Sequence, residues 1–367
     1  MADERLKVLR EEIDRLDAEL LRLLNVRAQK ALEIGEIKKR EGLPLYIPHR
    51  EREVLEGLVR ANPGPFPSGA LEVIFREVIS ACLSLQRPVR VAYLGPEATH
   101  THQAALEYFG ASVEFLPVRF VEGIFQAVER GQAHYGVVPF ENSTEGVVSS
   151  TVDMFFSSPA KIVGETYLRV SHHLLCLSGD RRDVKRVYSH PHATAQCKKW
   201  LSLHLPGVPV VDVPSTEEAA ARADQDPDAG AIASETAAIL YGLKVAQAGI
   251  EDVRENYTRF LVLGREEMEP TGRDKTSLLF SVPHEVGALC RILHVFAQRG
   301  INLTKIESRP SKEKAWDYLF YVDFEGHAGE DKVKQALEDL KGMALTLKVL
   351  GSYPRYRKEG DEHEKKA

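Results

Sequence analysis

Apolar residues over the first 86 positions recur at three- and four-residue steps, the spacing that predicts amphipathic helices. Gly42 and Pro44 should end the first helix. Two more helices are predicted over roughly 48–60 and 70–85, with a loop rich in proline and glycine between them. The segment 1–87 is therefore predicted to be an all-α domain. The positions that define its first helix are Leu6, Leu9, Ile13, Leu16, Leu20, Leu23, Leu24, Ala31, Ile34 and Ile37.

The pattern changes near residue 88. From there to residue 268, short apolar runs alternate with helical stretches and end in polar loops, which predicts an α/β domain with ligands at the strand ends. Residues 275–356 follow the order strand, helix, strand, strand, helix, strand, which predicts an α+β ferredoxin-like domain. The charged segment 357–367 predicts a disordered tail. The clearest strand candidates are 90–94, 136–139, 186–188 and 230–233.

Composition narrows the possible classes of protein. The chain has 367 residues, enough for two or three cores, and its net charge of -6 argues against nucleic-acid binding. It begins without an apolar signal core and has no apolar run long enough for a bilayer, so we expect a cytoplasmic protein that binds no membrane. Its four cysteines form no CxxC pair. Histidine-rich spots lack zinc-site spacing, so we predict no metal and no other cofactor.

Arg10, Arg27, Lys38 and Arg50 are the cations of interest in the helical segment. They could be solvated surface charges. However, Arg27 and Lys38 are eleven residues apart, which places them within about 20° of each other around one helix. Arg10 lies about 25 Å from Arg27 along the same helix. If Arg10 acts at the same site, it should do so from a partner chain, which predicts an intertwined homo-oligomer.

These residues resemble the all-helical chorismate mutases. The matching stretches are residues 9–14, Arg27 with Lys38, Arg50–Glu51, and Gln86 at the end of the third helix. The resemblance implies a pericyclic rearrangement of chorismate, in which cations and donors stabilise charge and no proton is transferred. Ile47 and Cys82 depart from the pattern, since some members have an acid and a serine there. The implied roles are substrate binding by Arg10 (from the partner), Arg27 and Arg50, contacts to the ether oxygen by Lys38 and Gln86, and a contact to the substrate hydroxyl by Glu51.

Four polar runs lie at predicted strand or helix ends of the central segment. They begin at Gly95, Pro139, Ser189 and Asn256. Each could be ordinary turn or cap chemistry. Together they could converge on a small anion.

The same runs resemble prephenate dehydratase, in that family's order and spacing, within "VAYLGPEATHTHQAA", "VVPFENSTEGVV", "SHPHATAQC" and "NYTRFLVLG". The resemblance implies a two-lobed fold like that of periplasmic binding proteins, which closes on prephenate. Thr258 would donate a proton to the leaving hydroxyl, and Arg259 would anchor an anion. His100 departs from the family, where many members have an aromatic residue. The remaining implied pocket residues are Thr99, Asn142, Ser143, Thr144 and Ser189.

In the last segment, a glycine-containing turn opens a predicted helix, and a backbone amide there could meet a carboxylate. Together with the stretch 301–310, this turn resembles the ACT domain of prephenate dehydratases. The resemblance implies a phenylalanine site between paired domains, through which the end product inhibits its own synthesis. The residues implied to line it are Gly287, Ala288, Leu289, Glu307, Ser308, Arg309 and Pro310.

The sequence as a whole is thus similar to the bifunctional chorismate mutase/prephenate dehydratases. The expected ligands are chorismate, prephenate and the effector L-phenylalanine, and the expected assembly is a dimer or tetramer. A fusion to prephenate dehydrogenase would need a G-x-G-x-x-G after a strand, which the sequence lacks. An arogenate dehydratase stays open as an alternative. A solute-binding module is disfavoured by the Thr258-Arg259 pair and the missing signal peptide.

Overall fold

The computed structural model describes residues 2–42, 48–310 and 318–356, so Ile47 and the predicted tail lie outside the described residues. One compact unit contains Met1–Arg90 and Phe109–Glu114, and a second contains Val91–Tyr108 and the described residues from Phe115 onward. The helices are α1 (Ala2–Glu41), α2 (Pro48–Ala61), α3 (Ser68–Gln86), α4 (His100–Phe109), α5 (Val121–Glu129), α6 (Ser149–Ser157), α7 (Pro191–Gln196), α8 (Lys198–His204), α9 (Thr216–Asp224), α10 (Glu235–Leu240), α11 (Ala288–Gln298) and α12 (Asp331–Met343).

The strands fall into three sheets. The first sheet has the order β2-β1-β3-β11-β5, with β4 paired to β3; the second has the order β10-β6-β9-β7-β8; and the third has the order β13-β14-β12-β15. The strand bounds are β1 (Arg90–Leu94), β2 (Glu114–Val118), β3 (Tyr135–Asn142), β4 (Gly146–Val147), β5 (Lys161–Arg169), β6 (His173–Cys176), β7 (Arg186–Ser189), β8 (Val210–Asp212), β9 (Ala229–Ala233), β10 (Lys244–Gln247), β11 (Tyr257–Gly264), β12 (Asp274–Ser281), β13 (Leu303–Pro310), β14 (Tyr318–Glu325) and β15 (Thr346–Pro354).

In the first unit, α1 and α2 pack on α3. The helix stop predicted at Gly42 is confirmed, because α1 ends at Glu41 and Gly42 takes a φ of 65°. Beyond residue 26, the half-buried positions of α1 recur at three- and four-residue steps: 27, 28, 31, 35 and 38. The apolar stripe nearer the N-terminus is exposed, with side chains from Leu6 to Leu24 between 42% and 63% accessible.

The chain path places one late strand in the middle of the first sheet. β1 to β5 build the first sheet, β6 to β10 build the second, and β11 then returns to the first. There it pairs antiparallel with both β3 and β5. The predicted strands at 90–94, 136–139, 186–188 and 230–233 are confirmed, as β1, β3, β7 and β9.

The third sheet has the predicted βαββαβ order, formed by β12, α11, β13, β14, α12 and β15. It shares a core with the first sheet, in which Phe140 and Leu261 lie with Tyr321 and Tyr353, all fully buried. β15 also runs beside β5, and Gly351 allows the close approach, because a Cβ there would lie 2.1 Å from the carbonyl oxygen of Ile162. The third sheet therefore packs on the first, within the same compact unit.

Candidate active sites

Three of the residues predicted for the helical site lie along the interface of α1 and α3. Arg27 and Lys38 are both half-buried on the α1 face toward α3, and Arg27 Nη1 lies 3.0 Å from Cys82 Sγ. Gln86, the last residue of α3, packs on Gly35, where a Cβ would lie 2.8 Å from Gln86 Cγ. Gly35 is one turn from Lys38, so Arg27, Lys38 and Gln86 share one surface.

The polarity of this surface suits an anion. Burial lowers the pKa of Lys38 from its ordinary value, which reflects the cost of keeping an ammonium group out of water. The Oε1 atom of Gln86 is buried and has no hydrogen-bond partner within the described residues. This oxygen is an acceptor, so a hydrogen-bond donor from water or a ligand would satisfy it, while the cations Arg27 and Lys38 are what suit the surface to an anion.

Of the other three residues predicted for this site, Arg10 stands apart from Arg27, and Arg50 and Glu51 lie on α2. Arg10 is exposed on α1, about 25 Å before Arg27 along the helix axis. Arg50 is exposed at the start of α2 and pairs with Glu53 at 3.1 Å, while Glu51 is half-buried beside it. Within one chain, the helix geometry therefore keeps Arg10 from the Arg27 surface.

In the second unit, the end of β3 and the start of β11 bring the predicted dehydratase residues together. Asn142 and Thr258 are register partners, and Asn142 Nδ2 donates to Thr258 Oγ1 at 2.9 Å and to Asn256 Oδ1 at 2.8 Å. Asn142 Oδ1 accepts from the Thr144 hydroxyl at 2.6 Å. Ser143 Oγ accepts from the Tyr257 amide at 3.0 Å, so the two polar runs form one cluster.

The cluster extends to α7, the helix that follows strand β7 of the second sheet. Gln196 Oε1 accepts from Asn256 at 3.4 Å and bonds the His172 ring at 2.7 Å. Glu145 accepts from Gln196 Nε2 at 2.9 Å and lies 3.2 Å from His192 Nδ1. The runs that begin at Pro139, Ser189 and Asn256 therefore converge, as predicted.

Burial disfavours the charged form of two histidines at the edge of this cluster, His100 and His172. The His100 ring lies 5.8 Å from the His172 ring, edge to face. Burial lowers the pKa of His100 to about 4 and also lowers the pKa of His172. Within the described part of the chain, no group of three or more His, Cys, Asp or Glu side chains could hold a metal ion.

Thr99 and Ser189 were predicted to complete the pocket, but their hydroxyls bond nearby backbone. Thr99 Oγ1 donates to the Leu94 carbonyl at 3.0 Å and accepts from the His102 amide at 3.3 Å, as a helix cap does. Ser189 is fully buried and donates to the His190 carbonyl at 3.1 Å. Their contacts thus match the turn and cap chemistry that the sequence left open.

Arg259 lies on the opposite face of β11 from Thr258, because successive strand residues alternate. Its Nε donates to Glu165 at 2.8 Å, its Nη1 to Asp323 at 2.5 Å and its Nη2 to the Tyr353 hydroxyl at 2.9 Å. The side chain is 4% exposed. The guanidinium is therefore occupied by internal partners, and the predicted contact with a substrate anion does not fit this arrangement.

Family models match three successive parts of the chain: chorismate mutase type II over 9–87, prephenate dehydratase over 91–268 and ACT domain over 276–342. The bifunctional chorismate mutase/prephenate dehydratase of Aquifex aeolicus is 53% identical over 356 residues, covering 96% of this chain and 98% of that protein. This chain belongs to that bifunctional family. The Pseudomonas aeruginosa bifunctional enzyme is 44% identical over 97% of this chain and 99% of its own.

Membership in the bifunctional mutase–dehydratase family makes the chain an enzyme with chorismate mutase and prephenate dehydratase activities and an ACT domain. The prephenate dehydratase of Arthrobacter aurescens, solved in complex with L-Phe, has a TM-score of 0.68 and 35% identity to it. That match covers 73% of this chain and 90% of the Arthrobacter chain. None of the helices within the described residues has the length and apolar character required to cross a bilayer.

The ACT residues of this family member lie at one edge of the third sheet. Gly287 precedes α11 with a φ of 79°, a conformation that favours glycine. β13 is the edge strand, and along it exposure alternates, so that Ser308 and Pro310 are exposed while Glu307 and Arg309 are half-buried. The predicted stretch is therefore accessible from outside the chain.

Four residues of the dehydratase cluster were missed by the sequence prediction of this bifunctional enzyme: Glu145, His172, Gln196 and Asn256. Asn256 and Gln196 lie inside the polar runs already recognised, so their amides were an available signal. Glu145 also lies inside a recognised run, the one that begins at Pro139, whereas His172 belongs to a histidine-rich spot that was attributed to chance. Their roles depend on contacts between strands far apart in sequence, which local spacing does not reveal.

Proposed function

We propose that the chain rearranges chorismate to prephenate in its helical domain and converts prephenate to phenylpyruvate in the cluster around Thr258. L-Phenylalanine then inhibits the second reaction through the third sheet. The observation that carries this proposal is the hydrogen bond from Asn142 to Thr258, which joins two polar runs 116 residues apart at a strand end. The proposed domains are residues 1–87 for the mutase, 88–268 for the dehydratase and 275–356 for the sensor.

For the first reaction, Arg27 holds a substrate carboxylate while Lys38 and Gln86 stabilise charge on the breaking ether oxygen. Support comes from their shared surface, on which the Lys38 ammonium and the Gln86 Nε2 amide are the groups able to donate to that oxygen. Arg50 binds the second carboxylate, and Glu51 binds the substrate hydroxyl. No base or nucleophile is required, because the rearrangement is pericyclic.

Each mutase site is completed by Arg10 of a second chain, so the enzyme is a dimer or a tetramer of dimeric mutase units. The exposed stripe on α1 supports this assembly, because seven apolar side chains at 42–63% exposure form a patch that soluble proteins usually cover. The helix geometry also supports this assembly, since Arg10 is about 25 Å from Arg27 within one helix and would reach that surface only from a second chain.

For the second reaction, Thr258 donates its proton to the ring hydroxyl of prephenate, which leaves as water while CO₂ is lost and the ring becomes aromatic. Asn142 Nδ2 donates to Thr258 Oγ1, so the hydroxyl hydrogen is directed to another acceptor. The same bond stabilises negative charge on Oγ1 and makes the hydroxyl a better acid. Ser143 and Thr144 hold the loop beside this pair, and Thr99 and Ser189 shape the strand ends around it.

The first and second sheets form two lobes like those of a periplasmic binding protein, and closure between them excludes water. Glu145 supports this view, because it reaches from the β3 end to Gln196 and His192 on the second lobe. Phenylalanine binds between paired sensor domains at Gly287, Ala288 and Leu289 and along 307–310. The L-Phe complex of the Arthrobacter relative supports the choice of effector.

The test is an assay of the purified chain with chorismate and no added cofactor. We expect phenylpyruvate to form, and Thr258→Ala to accumulate prephenate while it keeps mutase activity. Thr258→Ser is the matched control, because it retains the hydroxyl. If Thr258→Ala still forms phenylpyruvate at the normal rate, the proton-donor role is wrong. Faster turnover of arogenate than of prephenate would favour an arogenate dehydratase instead.

A further inference from the structure

Two neighbouring register pairs of the β3–β11 ladder face opposite sides of the first sheet. Asn142 and Thr258 form one pair, and Glu141 and Arg259 form the next. Because strand residues alternate, the second pair faces the third sheet while the first pair faces the polar cluster. The proposed proton donor is therefore one residue away from a contact with the sensor domain.

The third sheet presents a matching register pair to Glu141 and Arg259. Lys305 on β13 and Asp323 on β14 are register partners. Lys305 Nζ lies 2.7 Å from Glu141 Oε1, and Arg259 Nη1 lies 2.5 Å from Asp323 Oδ2. We call Glu141, Arg259, Lys305 and Asp323 the clasp. Its two positive and two negative charges sum to zero. Strand β3 contacts β13 through Glu141 and Lys305, and strand β11 contacts β14 through Arg259 and Asp323.

One aromatic ring lies under both cations of the clasp. The Lys305 Nζ atom is 5.9 Å and the Arg259 Cζ atom is 5.1 Å from the centroid of the Phe140 ring. Phe140 is fully buried and precedes Glu141 on β3. The clasp is thus supported by cation–π attraction as well as by ion pairing, and both involve consecutive residues leading to Asn142.

The two ion pairs of the clasp differ in how far their side chains are exposed to solvent. The side chains of Arg259 and Asp323 are 4% and 0% exposed, so their pair holds the sheets together. The side chains of Lys305 and Glu141 are 14% and 33% exposed, so this pair can break and let water in at lower cost. Lys305 is also three residues before Ser308 on the edge strand β13, which is free of a second neighbouring strand within the described residues.

We propose that Lys305 is a positioning residue for the dehydratase step: it holds Glu141, and through Glu141 the Asn142–Thr258 pair, in register with the phenylalanine-binding strand. This rests on the function proposed above. A displacement of β13 moves Lys305 against Glu141, and the backbone of β3 passes the displacement to Asn142. The side-chain amide of Asn142 is held at both its nitrogen, which donates to Thr258, and its oxygen, which accepts from Thr144. A small shift of Asn142 therefore weakens its donation to Thr258.

The experiment measures dehydratase kcat, KM for prephenate and inhibition by phenylalanine in Lys305→Met, Glu141→Gln and the double variant. We expect each single variant to lose roughly tenfold in kcat with little change in KM, and to resist inhibition although calorimetry still detects phenylalanine binding. The double variant should be no worse than either single one, because both remove the same contact. Lys305→Arg should restore kcat and inhibition.

The matched control is Lys332→Met, which removes an exposed lysine of the same domain that lies 3.6 Å from Glu330. It should behave as the wild type, and phenylalanine binding by calorimetry together with the KM for prephenate, measured in every variant, reports that the second unit is folded. Normal kcat and inhibition in Lys305→Met would overturn the proposal, as would additive losses in the double variant. These outcomes are separate from failure of the proposed function, which Thr258→Ala alone decides.

Discussion

Replacing Arg259 by leucine tests whether the first and third sheets are joined by charge. The side chain is 4% exposed, and its partners Glu165 and Asp323 are fully buried. Lys275, 2.8 Å from Glu165, would then be the remaining cation for two carboxylates in this group. Breaking a buried pair by removing one partner costs about 3–5 kcal/mol, because the other charge stays out of water. We expect a loss of that size in the free energy of unfolding of the second unit.

The pH dependence of this loss has a definite sign. In the wild type, burial alone would raise the pKa of Asp323, but the charges of Arg259 and Lys275, together with hydrogen bonds from Ser277 and Tyr321, hold that pKa below its ordinary value. Asp323 therefore contributes stability above about pH 4, and that contribution is lost as the pH falls through its lowered folded pKa. In Arg259→Leu the largest opposing charge is lost, so we expect burial to raise the pKa of Asp323 and the stability deficit of the variant to shrink as the pH falls.

Denaturant unfolding of wild type and variant, followed between about pH 7 and pH 4.5, measures both effects. Arg222→Leu is the matched control, because Arg222 pairs with Glu218 at the surface, with side chains 47% and 34% exposed. It should cost less than about 1 kcal/mol at every pH. If Arg259→Leu costs no more than Arg222→Leu, or if its deficit grows toward low pH, the reasoning is refuted.

Two further predictions concern the mutase. Gly35→Ala places a Cβ 2.8 Å from Gln86 Cγ and should reduce chorismate mutase activity by roughly 10- to 100-fold. Dehydratase activity on added prephenate serves as the control, and unchanged mutase activity would contradict the role of Gln86. Mixing inactive Arg10→Ala and Lys38→Ala chains should restore part of the mutase activity, because hybrid dimers contain some sites with both residues, and no recovery after confirmed subunit exchange would exclude a shared site.

The spacing of apolar residues along the chain was sufficient to predict the helices of the first unit. The three- and four-residue steps of apolar side chains give a long first helix, and the eleven-residue spacing places Arg27 and Lys38 on one face, as found. The contact between Gly35 and Gln86 was not predictable, because it depends on how α3 lies against α1. Periodicity describes which face of a helix is buried but not which residue of a neighbour meets it.

The central site was predicted in part for a similar reason. Asn142, Ser143, Thr144 and Thr258 could be grouped, because polar residues at strand ends tend to meet at one edge of a sheet. The environment of Arg259 could not be predicted, since its partners come from β5 and β14. Adjacent residues in a sequence motif were expected to act together, whereas strand alternation sends Thr258 and Arg259 to opposite faces.

The late return of β11 to the first sheet also sets an order of events during synthesis. The mutase helices are complete once residue 86 has left the ribosome, whereas the middle of the first sheet stays empty until Tyr257–Gly264 emerges. At bacterial or eukaryotic translation rates this interval is roughly ten to forty seconds. For the later part of it, after Arg169 has emerged, β3 and β5 are both present without the strand that separates them, and the nascent chain carries two unpaired strand edges that are open to wrong pairing.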